Sequence, residues 1–250
     1  MSSGVSHRNI SMTSPMLRTG RDIRYRRGPM FQPRHAFRDV APVTPDPDPL
    51  PKVTVGGLPM AAIDRSSLAH SMIEAALARR ESRHPPLIVT SANARVVAMC
   101  AHDQDIRALF LGADAIYADS MPLVFASRLF ATPLPERVAT TDLFHDVAEL
   151  AQGRGGRFYF LGAGASVMEE AIGIIRRLYP RLAIAGNRVD DFTLADEATI
   201  TAAIDAARPD ILWLGMGVPT AQSFALRNRD RLRGVGVIAA ASGLFGLLSG

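Results

Sequence analysis

Three stretches decide the fold: PPLIVTSANARVVAMC (85–100), ALFLGADAIYADSMPLVFASRLF (108–130) and PLPERVATTDL (133–143). Leu87–Thr90 and Ala115–Ala118 are short apolar runs that end in polar residues, the pattern of strands buried on both faces of a parallel sheet. The second run delivers Asp119 to its C-terminal end. Ligands of open α/β sheets bind outside the carboxyl ends of the strands. Thr90, Asn93 and Asp119 are therefore expected to face one crevice.

Working outward, the chain alternates. Asn93 stands where a helix begins, with Val96, Val97, Cys100 and Ala101 as its buried stripe, and another helix is expected around Asp105–Leu111. Pro122 suits the first turn of a helix carrying Leu123, Val124, Ala126 and Leu129. Thr141 reads as the N-cap of a helix over Asp142–Gln152. Strands are expected at Arg157–Leu161, Leu182–Gly186, Ile211–Gly215 and Val235–Ala240, separated by helices over Ser166–Tyr179, Asp196–Ala207 and Thr220–Arg231. On the N-terminal side, Lys52–Ile63 reads as a hairpin around Gly56-Gly57, followed by a helix capped by Ser66 or Ser67 and running to about Arg80. This order implies an α/β fold, a mostly parallel Rossmann-like sheet with helices on both faces.

The chain has 250 residues, 48% hydrophobic and 21% charged, enough for one large domain at 52–250. Residues 1–51 lack hydrophobic periodicity, are rich in Ser, Arg and Pro, and end in PDPDPLP, which reads as a disordered tail. Eight arginines against four aspartates in residues 1–49 account for the whole net charge of +4. The remaining body is neutral, which argues against a dedicated nucleic-acid-binding domain. The tail is either a solvated extension or a weak attractor of anionic lipid. A single cysteine, Cys100, excludes an intrachain disulfide and a Cys-rich metal site. No run reaches the roughly 18 apolar residues of a membrane span, and no apolar leader opens the chain.

Thr90-x-x-Asn93 after a strand, Ala118-Asp119 before a helix, and Glu136-Arg137-Val138-x-x-x-Asp142-Leu143 together resemble the WecG/TagA/CpsF glycosyltransferases. The resemblance continues through FYFLGAGASV, YPRLAIAG, PDILWLGMGVP and the final glycine-rich strand, over roughly residues 53–250. It implies transfer of a sugar, N-acetylmannosamine, its uronic acid or glucose, from a UDP-sugar to a polyprenyl-diphosphate-linked sugar. The setting would be bacterial cell-surface polysaccharide assembly, at the cytoplasmic face of the cell membrane. The implied partners are the UDP-sugar, the lipid-linked acceptor and the membrane surface; a homo-oligomeric copy is expected separately, from the apolar C-terminal segment.

Asp119 is then the expected general base of an inverting transfer, since a strand-end carboxylate in a dry crevice can take the acceptor proton. Otherwise it caps the helix that Pro122 opens. Thr90 and Asn93 offer neutral groups for sugar hydroxyls, or end a strand and cap a helix. Arg137 either binds the diphosphate or pairs on the surface with Glu136 or Asp142. Gly162 and Gly164, and after the next strand end Gly215 and Gly217, permit close approach of backbone to a nucleotide. Gln222 either bonds a sugar or uracil or lies on a helix surface.

G-x-G-x-x-G fails at Val167, and no acidic residue ends the following strand, which disfavours a nicotinamide enzyme. Lys52 is the only lysine and no P-loop string occurs. Asp46-x-Asp48 falls in the linker and Asp103-x-Asp105 in a helical region, and the six histidines form no ligand pair, so no metal cofactor is expected. A catalytically impaired nucleotide-sugar-binding protein is the alternative, with a Rossmann-type oxidoreductase behind it. The family continues past the position of Gly250 into a basic, aromatic segment. The chain is therefore expected to be a shortened member that exposes Leu244, Phe245, Leu247 and Leu248 and associates through them.

Overall fold

The computed structural model describes residues 50–82, 84–130 and 133–249. The basic N-terminal stretch lies outside the described residues, as does Asp46-Pro47-Asp48. Eight strands among the described residues form one sheet in the order β1-β2-β4-β3-β8-β7-β5-β6. They are β1 Lys52–Val55, β2 Leu58–Ala61, β3 Leu87–Ala92, β4 Ala115–Ala118, β5 Arg157–Leu161, β6 Ala183–Arg188, β7 Ile211–Leu214 and β8 Val237–Ala240. Only the β1–β2 pairing is antiparallel. Gly56 (φ 58°) and Gly57 (φ 80°) form its two-residue turn, and both positive angles are what such a hairpin requires.

Period-2 alternation inside the apolar strands sets the two layers. Tyr117, Phe158, Phe160, Trp213, Val237 and Ala239 point to one face. There they meet α1 (Arg65–Ala78), α5 (Thr140–Gly153), α6 (Ala165–Leu178) and α9 (Leu244–Ser249). Leu161, Leu212, Leu214 and Ile238 point to the other, under α7 (Glu197–Ala207) and α8 (Thr220–Asn228). Ile116 and Ala118 share that second face with α2 (Ala94–His102), α3 (Gln104–Leu111) and α4 (Met121–Ser127). Burial on both faces is why these strands read as unbroken apolar runs.

Several local expectations are corrected. Asp64, not Ser66 or Ser67, caps α1: its carboxylate accepts from Ser67 N at 2.9 Å and Ser67 Oγ at 2.7 Å. α4 stops at Ser127, whose hydroxyl donates to Val124 O (2.7 Å) and accepts from Leu134 N (2.9 Å), turning the chain. Ala126 and Leu129 are consequently exposed rather than packed. α5 begins at Thr140 with Ala139 at the cap, so Thr141 is not its N-cap. α8 ends at Asn228 and passes into a 3₁₀ turn at Arg229–Arg231.

The expected exposure of the C-terminal segment is also corrected, for three of its four residues. Leu244, Phe245 and Leu248 are buried, and Leu247 alone of the four is exposed. α9 folds back onto α6 and α5, and the Phe245 ring packs edge-on against Phe160 with centroids 5.7 Å apart. The apolar end of the described chain is thus part of the core.

Candidate active site

The carboxyl ends of β3, β4, β8, β7, β5 and β6 all lie along one edge of the sheet, because these strands are mutually parallel. Asp119 follows β4 there, and its backbone N–H donates to Ala92 O at 2.8 Å. Strand alternation puts its side chain on the α5 side, two residues after Tyr117. Thr140 Oγ1, in the first turn of α5, donates to Asp119 Oδ2 at 2.8 Å. Thr140 Oγ1 lies 3.0 Å from the Tyr117 hydroxyl. With the Thr140 proton committed to the carboxylate, the phenol is the donor, giving a line Tyr117 O–H to Thr140 O–H to Asp119.

Burial pushes the Asp119 carboxyl above the usual 3.8. Side-chain and backbone hydrogen bonds from Thr140 and the nearby Arg137 charge pull it down, Asp142 pushes it up again, and burial wins. Burial also raises Tyr117, so the phenol stays protonated and remains a donor. Asp119 does not cap α4, whose Ser120 cap makes no side-chain bond. It meets instead the N-terminus of α5, where a carboxylate is favoured by the helix dipole.

Arg137 is exposed on the loop before α5. Val138 N donates to Ala118 O at 2.9 Å, which pins that loop beside the end of β4 and Asp119. Among the described residues Arg137 forms no salt bridge. The carboxylates considered for it are taken by Arg65, at the start of α1. Arg65 N donates to Glu136 Oε1 (2.7 Å), Nε to Asp146 Oδ2 (2.7 Å) and a terminal nitrogen to Asp142 Oδ2 (3.0 Å). Arg137 is thereby left open to an external anion.

Asn93 caps α2, its Oδ1 accepting from Val96 N at 3.0 Å, and is exposed at the same edge. Thr90 lies deeper and is fully buried on the α8 side. Its hydroxyl faces Ala240 O at 3.4 Å and accepts from Gln222 Nε2 at 3.0 Å. Gln222 is itself buried, not on a helix surface, and its Oε1 has no protein partner. These two residues tie β3 to α8 and β8.

The four glycines divide. Gly162 has φ 122°, and a Cβ there would lie 2.7 Å from Met216 N. A Cβ on Gly215 would overlap the Phe245 ring. Close packing of the β5, β7 and α9 segments therefore accounts for both. Gly164, capping α6, and Gly217 have open space above Cα. No cluster of three His, Cys, Asp or Glu able to hold a metal occurs among the described residues. Asp103 is engaged in capping α3, accepting from Asp105 N (2.9 Å) and Ile106 N (3.0 Å). A cavity of about 700 Å³ lined by Arg79, His84, Leu87 and Arg229 opens at the opposite edge, where β3 begins, and contains none of these groups.

A sequence profile of the Glycosyl transferase WecG/TagA/CpsF family matches residues 53–250. The chain belongs to this family. Among its curated relatives is a protein of Bacillus spizizenii named N-acetylglucosaminyldiphosphoundecaprenol N-acetyl-beta-D-mannosaminyltransferase. It is 28% identical over 162 residues, 65% of this chain and 62% of the relative. Proteins of the same name from Bacillus subtilis (25% over 163 residues, 65% and 62%) and Staphylococcus aureus (24% over 145 residues, 58% and 56%) also match. The chain thus spans less than two thirds of the length of these curated relatives.

For this WecG/TagA/CpsF member, sequence reasoning missed Tyr117, Thr140 and Arg65. The signal for Tyr117 was the i, i+2 spacing to Asp119 across the end of a strand. Ser120 and Ser242 were missed as well: each has a buried hydroxyl oxygen without a protein partner, and each follows a strand at the Asp119 edge.

Proposed function

We propose that the protein transfers an N-acetylhexosamine, of the N-acetylmannosamine type, from a UDP-sugar to the sugar of a polyprenyl-diphosphate-linked acceptor, with inversion. The observation that carries this reading is Asp119: a half-buried strand-end carboxylate that accepts from Thr140, itself bonded to Tyr117, with Arg137, which forms no salt bridge, beside it. Asp119 takes the proton of the acceptor hydroxyl as that oxygen bonds to the anomeric carbon. The bond from that carbon to the phosphate oxygen breaks, and UDP leaves with the electron pair. Arg137 and the N-terminus of α6 at Gly164 offset the diphosphate charge. The names of the relatives support the acceptor class and the sugar. Attachment to the inner face of a cell membrane follows from a lipid-linked acceptor, and no helix among the described residues is long and apolar enough to cross one.

The test is incubation of the chain with a panel of UDP-sugars and a short-chain polyprenyl-diphosphate-N-acetylglucosamine. UDP release with a β-linked product from UDP-N-acetylmannosamine is expected. Binding of UDP without turnover of any sugar would point instead to a nucleotide-sugar-binding protein.

A further inference from the structure

α4 begins two residues after Asp119, and its outward side is apolar. Met121 and Phe125 lie one turn apart on α4, and Leu129 and Phe130 are exposed in the turn that follows it. Leu129 is 87% exposed and Phe125 53%. Leu123 and Val124 fill the buried side, so the short helix is apolar all round. Residues 120–130 contain no carboxylate, and their one charge, Arg128, lies over the Phe125 ring at 5.0 Å. Exposed Arg95 lies on α2, whose Val96 shares a buried cluster with Leu123 and Val124.

We propose that this face of α4, with the turn that follows it, is the surface by which the protein rests on an anionic bilayer, the apolar side chains in the interfacial layer and the arginines among the headgroups. Apolar side chains rimmed by cations match that environment. A two-fold contact between copies would set one cationic rim against another, which like-charge repulsion disfavours. The placement rests on the glycosyltransfer reading: a face that starts at the candidate base would hold the Asp119 edge against the membrane that carries the acceptor's lipid.

The test uses the full chain and vesicles of phosphatidylcholine with or without phosphatidylglycerol, in a flotation assay containing no sugar. The wild type should float with the anionic vesicles. Combined Phe125→Ser, Leu129→Ser and Phe130→Ser should lower the bound fraction about tenfold or more, with the melting temperature unchanged. Leu129→Ser alone, at the most exposed position, gives a smaller drop in the same direction and covers the case of a misfolded triple variant. Undiminished flotation of the folded variants would assign binding to the basic N-terminal stretch and overturn the proposal. So would a fall in sedimentation mass with vesicle binding intact, which would make these residues a contact between copies. Failure of sugar transfer would refute the enzymatic reading and leave the flotation result standing.

Discussion

Thr140→Val tests the line from Tyr117 to Asp119. Valine keeps the volume and branching of threonine but removes the oxygen that the Tyr117 phenol meets at 3.0 Å and the proton that Asp119 Oδ2 accepts at 2.8 Å. Tyr117 is only 3% exposed, so its hydroxyl loses that partner where water cannot replace it and keeps only Ser91 nearby. The loss of one partner falls at the low end of the cost of an unsatisfied buried polar group, about 1 kcal/mol, and each kcal/mol lowers the melting temperature by about 2–4 °C in a domain of this size. Thr140→Ser is the control: it keeps both bonds and forfeits one methyl, about 0.8 kcal/mol. The second readout separates stability from chemistry. The Thr140 hydrogen bonds lower the Asp119 pKa against the larger upward push of burial. Removing the side-chain bond moves the acidic limb of the pH–rate profile of UDP release to higher pH in the valine variant only. If valine and serine variants share one acidic limb, Thr140 does not act through Asp119, whatever their melting temperatures.

Asp119→Asn should preserve UDP binding and lower transfer by about 10²–10⁴-fold; near-normal turnover would remove Asp119 from the mechanism. Arg137→Ala should weaken UDP binding measured by calorimetry, while transfer persists in EDTA; abolition by EDTA and restoration by Mg²⁺ or Mn²⁺ would replace the arginine with a metal. Gly215→Ala should lower stability by about 1–3 kcal/mol through overlap with the Phe245 ring. A thermal melt indistinguishable from wild type would show that α9 is not seated on β7.

The sheet was legible because each strand packs on both faces, which leaves short runs such as Ile211–Leu214 unbroken by polar residues. Helix starts were less so. Asp64, Ser66 and Ser67 are all capping residue types, and only the geometry chooses among them. The C-terminal segment was misread because its partners, Met168, Ala171, Ile172 and Ile175 on α6, lie some 70 residues earlier in the sequence. The same separation hid the site's supports. Thr90 and Gln222 are 132 residues apart, and Arg65 lies 71 to 81 residues from the carboxylates it binds. The places of Asp119, Asn93 and Arg137 in the fold were legible because they sit at a strand end, at a cap and on a loop, where the local pattern itself gives the position.

Asp119 also sets folding against chemistry. Its folded pKa lies above its ordinary value of 3.8, so the folded state holds the proton to higher pH than the unfolded chain does. Between those two values folding stability falls as pH rises, because ionisation then occurs at a half-buried position. If Asp119 is the base of the proposed transfer, it acts only once ionised, and transfer should rise through the same interval. Thr140 and Arg137 narrow that interval by stabilising the carboxylate. Arg65 holds Asp142, whose charge acts the other way. Asparagine at 119 removes the penalised charge and should melt higher than wild type above the interval and alike below it. On the proposed reading, Thr140 and Arg137 favour the ionised form of a carboxylate that burial pushes toward its protonated form, a use that a helix cap exposed to water would not require.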